Sequence, residues 1–140
     1  MVRNVLAVLA GLAVGMAFNM SLVMLNAYVL YPMPEGTTFE DTEKFQEYVD
    51  TLPLPAFLVV LLAHVGQAFF GGWVAARLAG SQPLALAMIV GALSMVGGIL
   101  NMLSIQGPSW MWIEVPLYLV LAWVAGSMEM RRRAARAPAA

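Results

Sequence analysis

Apolar and polar positions are segregated along this chain into long blocks. Four runs, at about residues 5–30, 54–79, 84–105 and 113–130, are almost wholly apolar. Each is about as long as the ~17–25 residues that carry a helix across a hydrocarbon layer. One sizeable polar block, residues 31–53, separates the first two runs, and the other connections are short. Tyr31-Pro32-Met33-Pro34 ends the first run, because proline removes a backbone donor and forces an extended neighbour. Within the polar block, Thr37-Thr38-Phe39-Glu40 has capping-box spacing and predicts a short helix running to about Thr51. Phe45, Tyr48, Val49 and Leu52 share one face of that helix, and Glu40 with Lys44 makes a favourable i,i+4 pair. Gly80-Ser81-Gln82-Pro83 and Gln106-Gly107-Pro108-Ser109 read as turns, and Pro83 suits the first turn of the following helix. The pattern predicts a single all-α domain: a four-transmembrane-helix bundle, with a short amphipathic helix in the first outer loop that lies along the membrane or caps the bundle.

Composition strengthens that reading. Of the 140 residues 61% are hydrophobic and 11% charged, with a mean hydropathy of +0.80; soluble domains carry about a quarter charged residues. A cleaved leader is the competing reading for the N-terminus, because Arg3 precedes an apolar run. A leader's apolar region is only about 7–15 residues, so the first run is expected to remain as a span. No cysteine is present, which excludes disulfides, thiolate metal sites and cysteine nucleophiles.

Charge sets the expected topology. Six of the eight acids (Glu35, Glu40, Asp41, Glu43, Glu47, Asp50) lie in the 31–53 loop. With four spans, Arg3, Arg77 and the arginines of the 131–140 tail all fall on the opposite side, against Lys44 alone beside the acids. Cytoplasmic loops are enriched in Lys and Arg, so both termini are expected inside and the acidic loop outside. Trp110, Trp112 and Tyr118 are expected in an interfacial aromatic belt. Arg131 is expected to stop the fourth span.

Small residues mark helix contacts. Ala7, Gly11, Gly15 and Asn19 recur every fourth position, a stripe that lets helix backbones approach where lipid supplies no hydrophobic drive. Gly71 and Gly72 in the second span, and Gly91 and Gly98 in the third, are further packing positions. The stripes on the first two helices predict self-association or docking with other membrane subunits. A faint duplication also shows: Gly15-x-x-x-Asn19-Met20 recurs as Gly97-x-x-x-Asn101-Met102.

Polar groups inside a span are functional candidates, since leaving them unpaired in hydrocarbon is costly. Counting from each helix's outer end places Asn19, His64 and Ser94 at one depth, roughly 15 Å down at ~1.5 Å per residue. Asn26, Asn101 and Tyr118 form a shallower layer, with Glu114 near the boundary, where a helix N-terminus favours an acid. Asn19, His64, Gln67, Ser94, Asn101 and Glu114 therefore either line an outward-facing polar path, with His64 as proton acceptor or ligand, or hydrogen-bond between helices. On this count no carboxylate shares the depth of His64, which favours the interhelical role. Met16, Met20 and Met24 lie on one helix face, and thioethers suit Cu(I). The spacing resembles the MxxxM of high-affinity copper transporters, on that one helix only; methionine is equally a gap-filler. Small multidrug exporters use a glutamate in the first span, and here that span has none. No Ser/His/Asp set, phosphate-binding loop or HExxH occurs, so neither cofactor nor nucleic-acid partner is expected.

Several local patterns taken together resemble a group of small uncharacterised four-helix bacterial inner-membrane proteins. They are Tyr31-Pro32-x-Pro34-x-Gly36, Leu52-Pro53, Gly71-Gly72-x-x-Ala75-Ala76-Arg77-x-Ala79-Gly80 and Pro108-x-Trp110. The resemblance implies a bacterial inner-membrane location and the four-helix topology, and carries no activity. The leading expectation is a non-enzymatic, oligomeric or accessory component of a membrane assembly. The alternative is a small transporter or channel, and an intramembrane enzyme or metal protein comes third.

Overall fold

A computed structural model of the chain describes residues 1–136. The helices are α1 (Val2–Leu25), α2 (Thr42–Asp50), α3 (Leu54–Leu78), α4 (Pro83–Ser104) and α5 (Glu114–Ala134). A π-helical segment, Asn26–Leu30, extends α1, and a 3₁₀ segment, Ser109–Ile113, leads into α5. Four stretches are long and apolar enough to cross a membrane: Val2–Leu30, Leu54–Leu78, Pro83–Ser104 and Ser109–Ala134. The fold is all-α and its long helices run alternately up and down.

α3 is the central helix. It packs against α1 on one side and against both α4 and α5 on the other. In the most apolar window of each span, 39% of α3 is buried against 11% of the first span, so α1 is a peripheral helix docked on α3. Glycine makes that docking close. A Cβ on Gly11 would stand 2.5 Å from the Gly71 carbonyl oxygen, and one on Gly15 would stand 2.6 Å from that of Gln67. Backbone meets backbone there, as small-residue stripes allow. The stripes on the first two spans thus meet each other within the chain. Gly72 faces Ala87 and Ala122, and Gly91 and Gly98 receive Ala122 and Tyr118 of α5. Gly97 has nothing within 4 Å, and Asn101 is exposed, so the apparent repeat of Gly15 and Asn19 occupies an unlike environment.

The start of α1 and the end of α5 lie at one end of the bundle. Arg3 Nε donates to the Leu78 carbonyl, while Asn4 Oδ1 accepts from the Gly80 and Ser81 amides. Arg133 Nη2 donates to the carbonyls of Ala76 and Ala79, which are acceptors left over at the end of α3. Glu129, 1% exposed, accepts from Arg77, Arg132 and Arg133. Arg131 therefore does not stop the last helix. The arginines continue it to Ala134, because Arg132 and Arg133 stand three and four residues beyond Glu129 and fold back onto it. Residues 137–140 of the 131–140 tail lie outside the described residues.

The other end is closed by α2. Its cap is Asp41, whose carboxyl accepts the Lys44 amide at 3.2 Å and pairs with the Lys44 ammonium at 3.2 Å. Thr38 serves the preceding turn by accepting the Asp41 amide, so the helix starts later than the capping-box spacing predicts and Lys44 pairs with Asp41 in place of Glu40. The predicted apolar face is used: Tyr48 and Val49 are buried with Phe57 and Met111, and Phe45 and Leu52 pack around them. Gln46 clasps Gln106 by two hydrogen bonds, its amide donating to the carbonyl and its oxygen accepting the N–H.

Candidate functional site

Near the terminal end, α1 and α4 meet over α3 through Ala7, Val8, Leu12, Leu86 and Val90. Toward the α2 end they enclose a cavity of about 510 Å³ between Met20, Val23 and Met24 of α1 and Asn101, Met102 and Ile105 of α4. Phe57, Val60 and His64 of α3 line it, as do Phe45, Tyr48 and Val49 of α2. Met20, Met24 and Asn101 are exposed as well as lining, so the mouth lies between α1 and α4. The lining is overwhelmingly apolar, as is usual for a small-molecule site with a few placed polar groups. Burial pushes the Tyr48 phenol above its usual value; it stays protonated and donates to the Tyr31 carbonyl at 2.6 Å.

Three of the polar atoms at this cavity are informative. His64 Nδ1 lies 2.9 Å from Glu114 Oε2, with the carboxyl fully buried and the imidazole nearly so. Tyr118, one helical turn on from Glu114, donates its hydroxyl to Oε1 at 3.3 Å and stacks loosely on the His64 ring, centroids 6.5 Å apart. The carboxyl thus fixes one imidazole nitrogen. The third atom belongs to Asn26. This residue is 4% exposed, and its Oδ1 is the buried side-chain atom that finds no partner among the described residues. Asn26 opens the π-helical segment, in which its carbonyl accepts the Tyr31 amide at 2.8 Å. Single π turns inside α-helices occur frequently at functional sites.

The counted depths needed correction here. Glu114 reaches His64. Five 3₁₀ residues, Ser109–Ile113, intervene between the end of α4 at Ser104 and the start of α5, a segment that counting along regular helices leaves out. Tyr118 is correspondingly no member of an aromatic belt: it is 1% exposed, whereas Trp110 and Trp112 are 37% and 47% exposed. The expectation that no acid stands level with the histidine is overturned.

The remaining candidates fall into two groups. Asn19 donates to Gln67 at 2.7 Å, and Gln67 donates to Ser94 at 3.3 Å. This relay crosses from α1 through α3 to α4 and has the interhelical role. Asn101 stands at the cavity rim. Met16, Met20 and Met24 are 51%, 38% and 38% exposed, so the thioethers form an open face with no enclosed copper site. Asn26 and Tyr118 carry more of the site than their shallow-layer placement suggested, and Glu114-x-x-x-Tyr118 was a readable one-turn spacing. No known protein family, curated protein or solved structure matches the chain, so what this site does has to be read from its own atoms.

Proposed function

We propose that the protein is a multi-pass protein of the bacterial inner membrane that holds a small hydrophobic molecule in the cavity between α1, α3 and α4. Orientation follows the arginines: Arg3, Arg77, Arg131, Arg132, Arg133 and Arg136 mark the terminal end as cytoplasmic, and α2 with its acids faces outward. The bacterial inner membrane is the location implied by the resemblance described above. The role is binding and carriage rather than scaffolding, because the glycine stripes that argued for assembly are already occupied by the α1–α3 contact.

The observation that carries this reading is an apolar cavity of about 510 Å³ lined in part by His64, whose imidazole is held from behind by the buried Glu114 carboxyl. A concave apolar space of this size with a few polar groups in its lining is the usual form of a small-molecule site. The test is native mass spectrometry of protein released from nanodiscs doped with pentylbenzene. Wild type should keep a one-to-one adduct, and Val60→Trp, which places an indole in the cavity, should lose it while staying folded. Equal retention by both would refute the cavity as a binding site.

A further inference from the structure

We infer that the molecule held in this cavity is a neutral, hydroxyl-bearing amphiphile, bound with its hydroxyl on Asn26 and its hydrocarbon body toward the mouth between α1 and α4. The inference rests on the cavity being a binding site and adds the class of ligand.

Size comes first. A cavity of ~150 Å³ accommodates benzene, so about 510 Å³ has room for a molecule roughly three times larger. Met20 and Met24 on one side and Asn101 on the other stand at the opening, so a longer tail can continue into the bilayer. Methionine suits such a rim because its flexible thioether adapts to irregular apolar shapes.

The head group follows from the unpartnered atom. A buried polar atom without a partner is rare and calls for an explanation. Asn26 Oδ1 needs a donor. Its oxygen and nitrogen can exchange places by an amide flip, in which case the same position would need an acceptor. A hydroxyl both donates and accepts, so it fits either state. An ether or a ketone can only accept and fits one of them.

Charge excludes an ionic head. Among the lining residues, His64 and Tyr48 are the titratable ones. Tyr48 already donates to the Tyr31 carbonyl, and His64 already faces Glu114. A carboxylate or ammonium brought into this apolar surround would meet no counter-charge left over for it, and unpaired buried charge is costly. A water could satisfy Asn26 in principle. However, a buried water needs two to four polar partners, and the lining around Asn26 is mostly aliphatic and aromatic.

The experiment compares para-pentylphenol with para-pentylanisole, its methyl ether, and with undecanol. Each is doped into nanodiscs holding the full chain and read by native mass spectrometry, with pentylbenzene as the control for an intact cavity. The phenol should bind about tenfold more tightly than the ether, the gain expected of one hydrogen bond in a desolvated site. Undecanol in place of the phenol shows whether an aliphatic body is taken as well, and the comparison of phenol with ether decides the inference. In Asn26→Leu the preference over the ether should fall to within about twofold, while pentylbenzene binding persists. That variant removes a side chain with no hydrogen bond of its own, so it has no structural partner to orphan. Equal binding of phenol and ether, as when water satisfies Asn26, overturns the hydroxyl class and leaves the cavity reading standing. Loss of all four probes, pentylbenzene included, overturns both.

Discussion

Gly15→Ala tests the docking of α1 on α3, on which the cavity wall depends. The added Cβ would stand 2.6 Å from the Gln67 carbonyl oxygen, about 0.8 Å inside the 3.4 Å at which ordinary contact begins. The obstacle is backbone and cannot rotate away, so α1 has to retreat. One turn further along, Asn19 and Gln67 are joined at 2.7 Å. A rigid retreat of that size would take them to about 3.5 Å, where a side-chain hydrogen bond is nearly lost. Overpacking costs about 1–3 kcal/mol, and an interhelical hydrogen bond in a membrane is worth about 0.6 kcal/mol. Alanine recovers up to ~1 kcal/mol of helix propensity, leaving a net loss of about 0.5–2.5 kcal/mol. Gly97→Ala is the matched control. Nothing lies within 4 Å of its new Cβ, so only the propensity gain of up to ~1 kcal/mol remains.

The assay is unfolding of the purified protein in mixed micelles, titrated with sodium dodecyl sulfate and followed by far-ultraviolet circular dichroism. Gly15→Ala should unfold at lower denaturant than wild type, and Gly97→Ala at the same or higher. If the two variants behave alike, α1 is not seated on α3 through these glycines. If Gly15→Ala lowers the mass of the native particle and leaves unfolding unmoved, the stripe belongs to a contact between chains.

Two further outcomes are expected. His64→Ala strands a fully buried carboxyl and should cost about 3–5 kcal/mol, whereas His64→Leu with Glu114→Leu together should cost less than the two single changes summed; additivity in a double-mutant cycle of the same titration would deny the pairing. At the other end, the Lys44 backbone amide holds the Asp41 carboxyl below its usual value of 3.8. A depressed carboxyl stabilises at all pH above its unfolded value and loses that contribution as pH falls through the folded one. The Lys44 amide resonance should therefore stay constant at neutral pH and titrate with a midpoint below 3.8; a midpoint at or above that value would remove Asp41 as the cap of α2.

Much of the fold was legible because a bilayer demands long apolar helices, and few other structures satisfy such runs. The face of each helix was legible too: Ala7, Gly11, Gly15 and Asn19 are the buried residues of α1, at the spacing the stripe announced. What the spacing could not supply was the partner. A small-residue stripe allows close approach to any helix, inside the chain or outside it. Only the register of Gly11 with Gly71, and of Gly15 with Gln67, decides between them.

The site was harder to read, for a geometric reason. His64 and Glu114 are 50 residues apart, and counting rise along each helix assumes that all four begin in one plane. The 3₁₀ segment before α5 breaks that assumption, and with it the separation between the histidine and the acid. Asn26 still has regular helical geometry, two turns on from Asn19, and the π turn begins with it. Both irregular turns lie where the chain enters or leaves a span, and both carry a polar residue of the site at their edge: Asn26 opens one, and Glu114 follows the other. Regular helices built the frame that periodicity could predict. Glu114 follows an irregular turn and meets a histidine 50 residues away, so the pairing at the centre of the site is what periodic reasoning is least able to see.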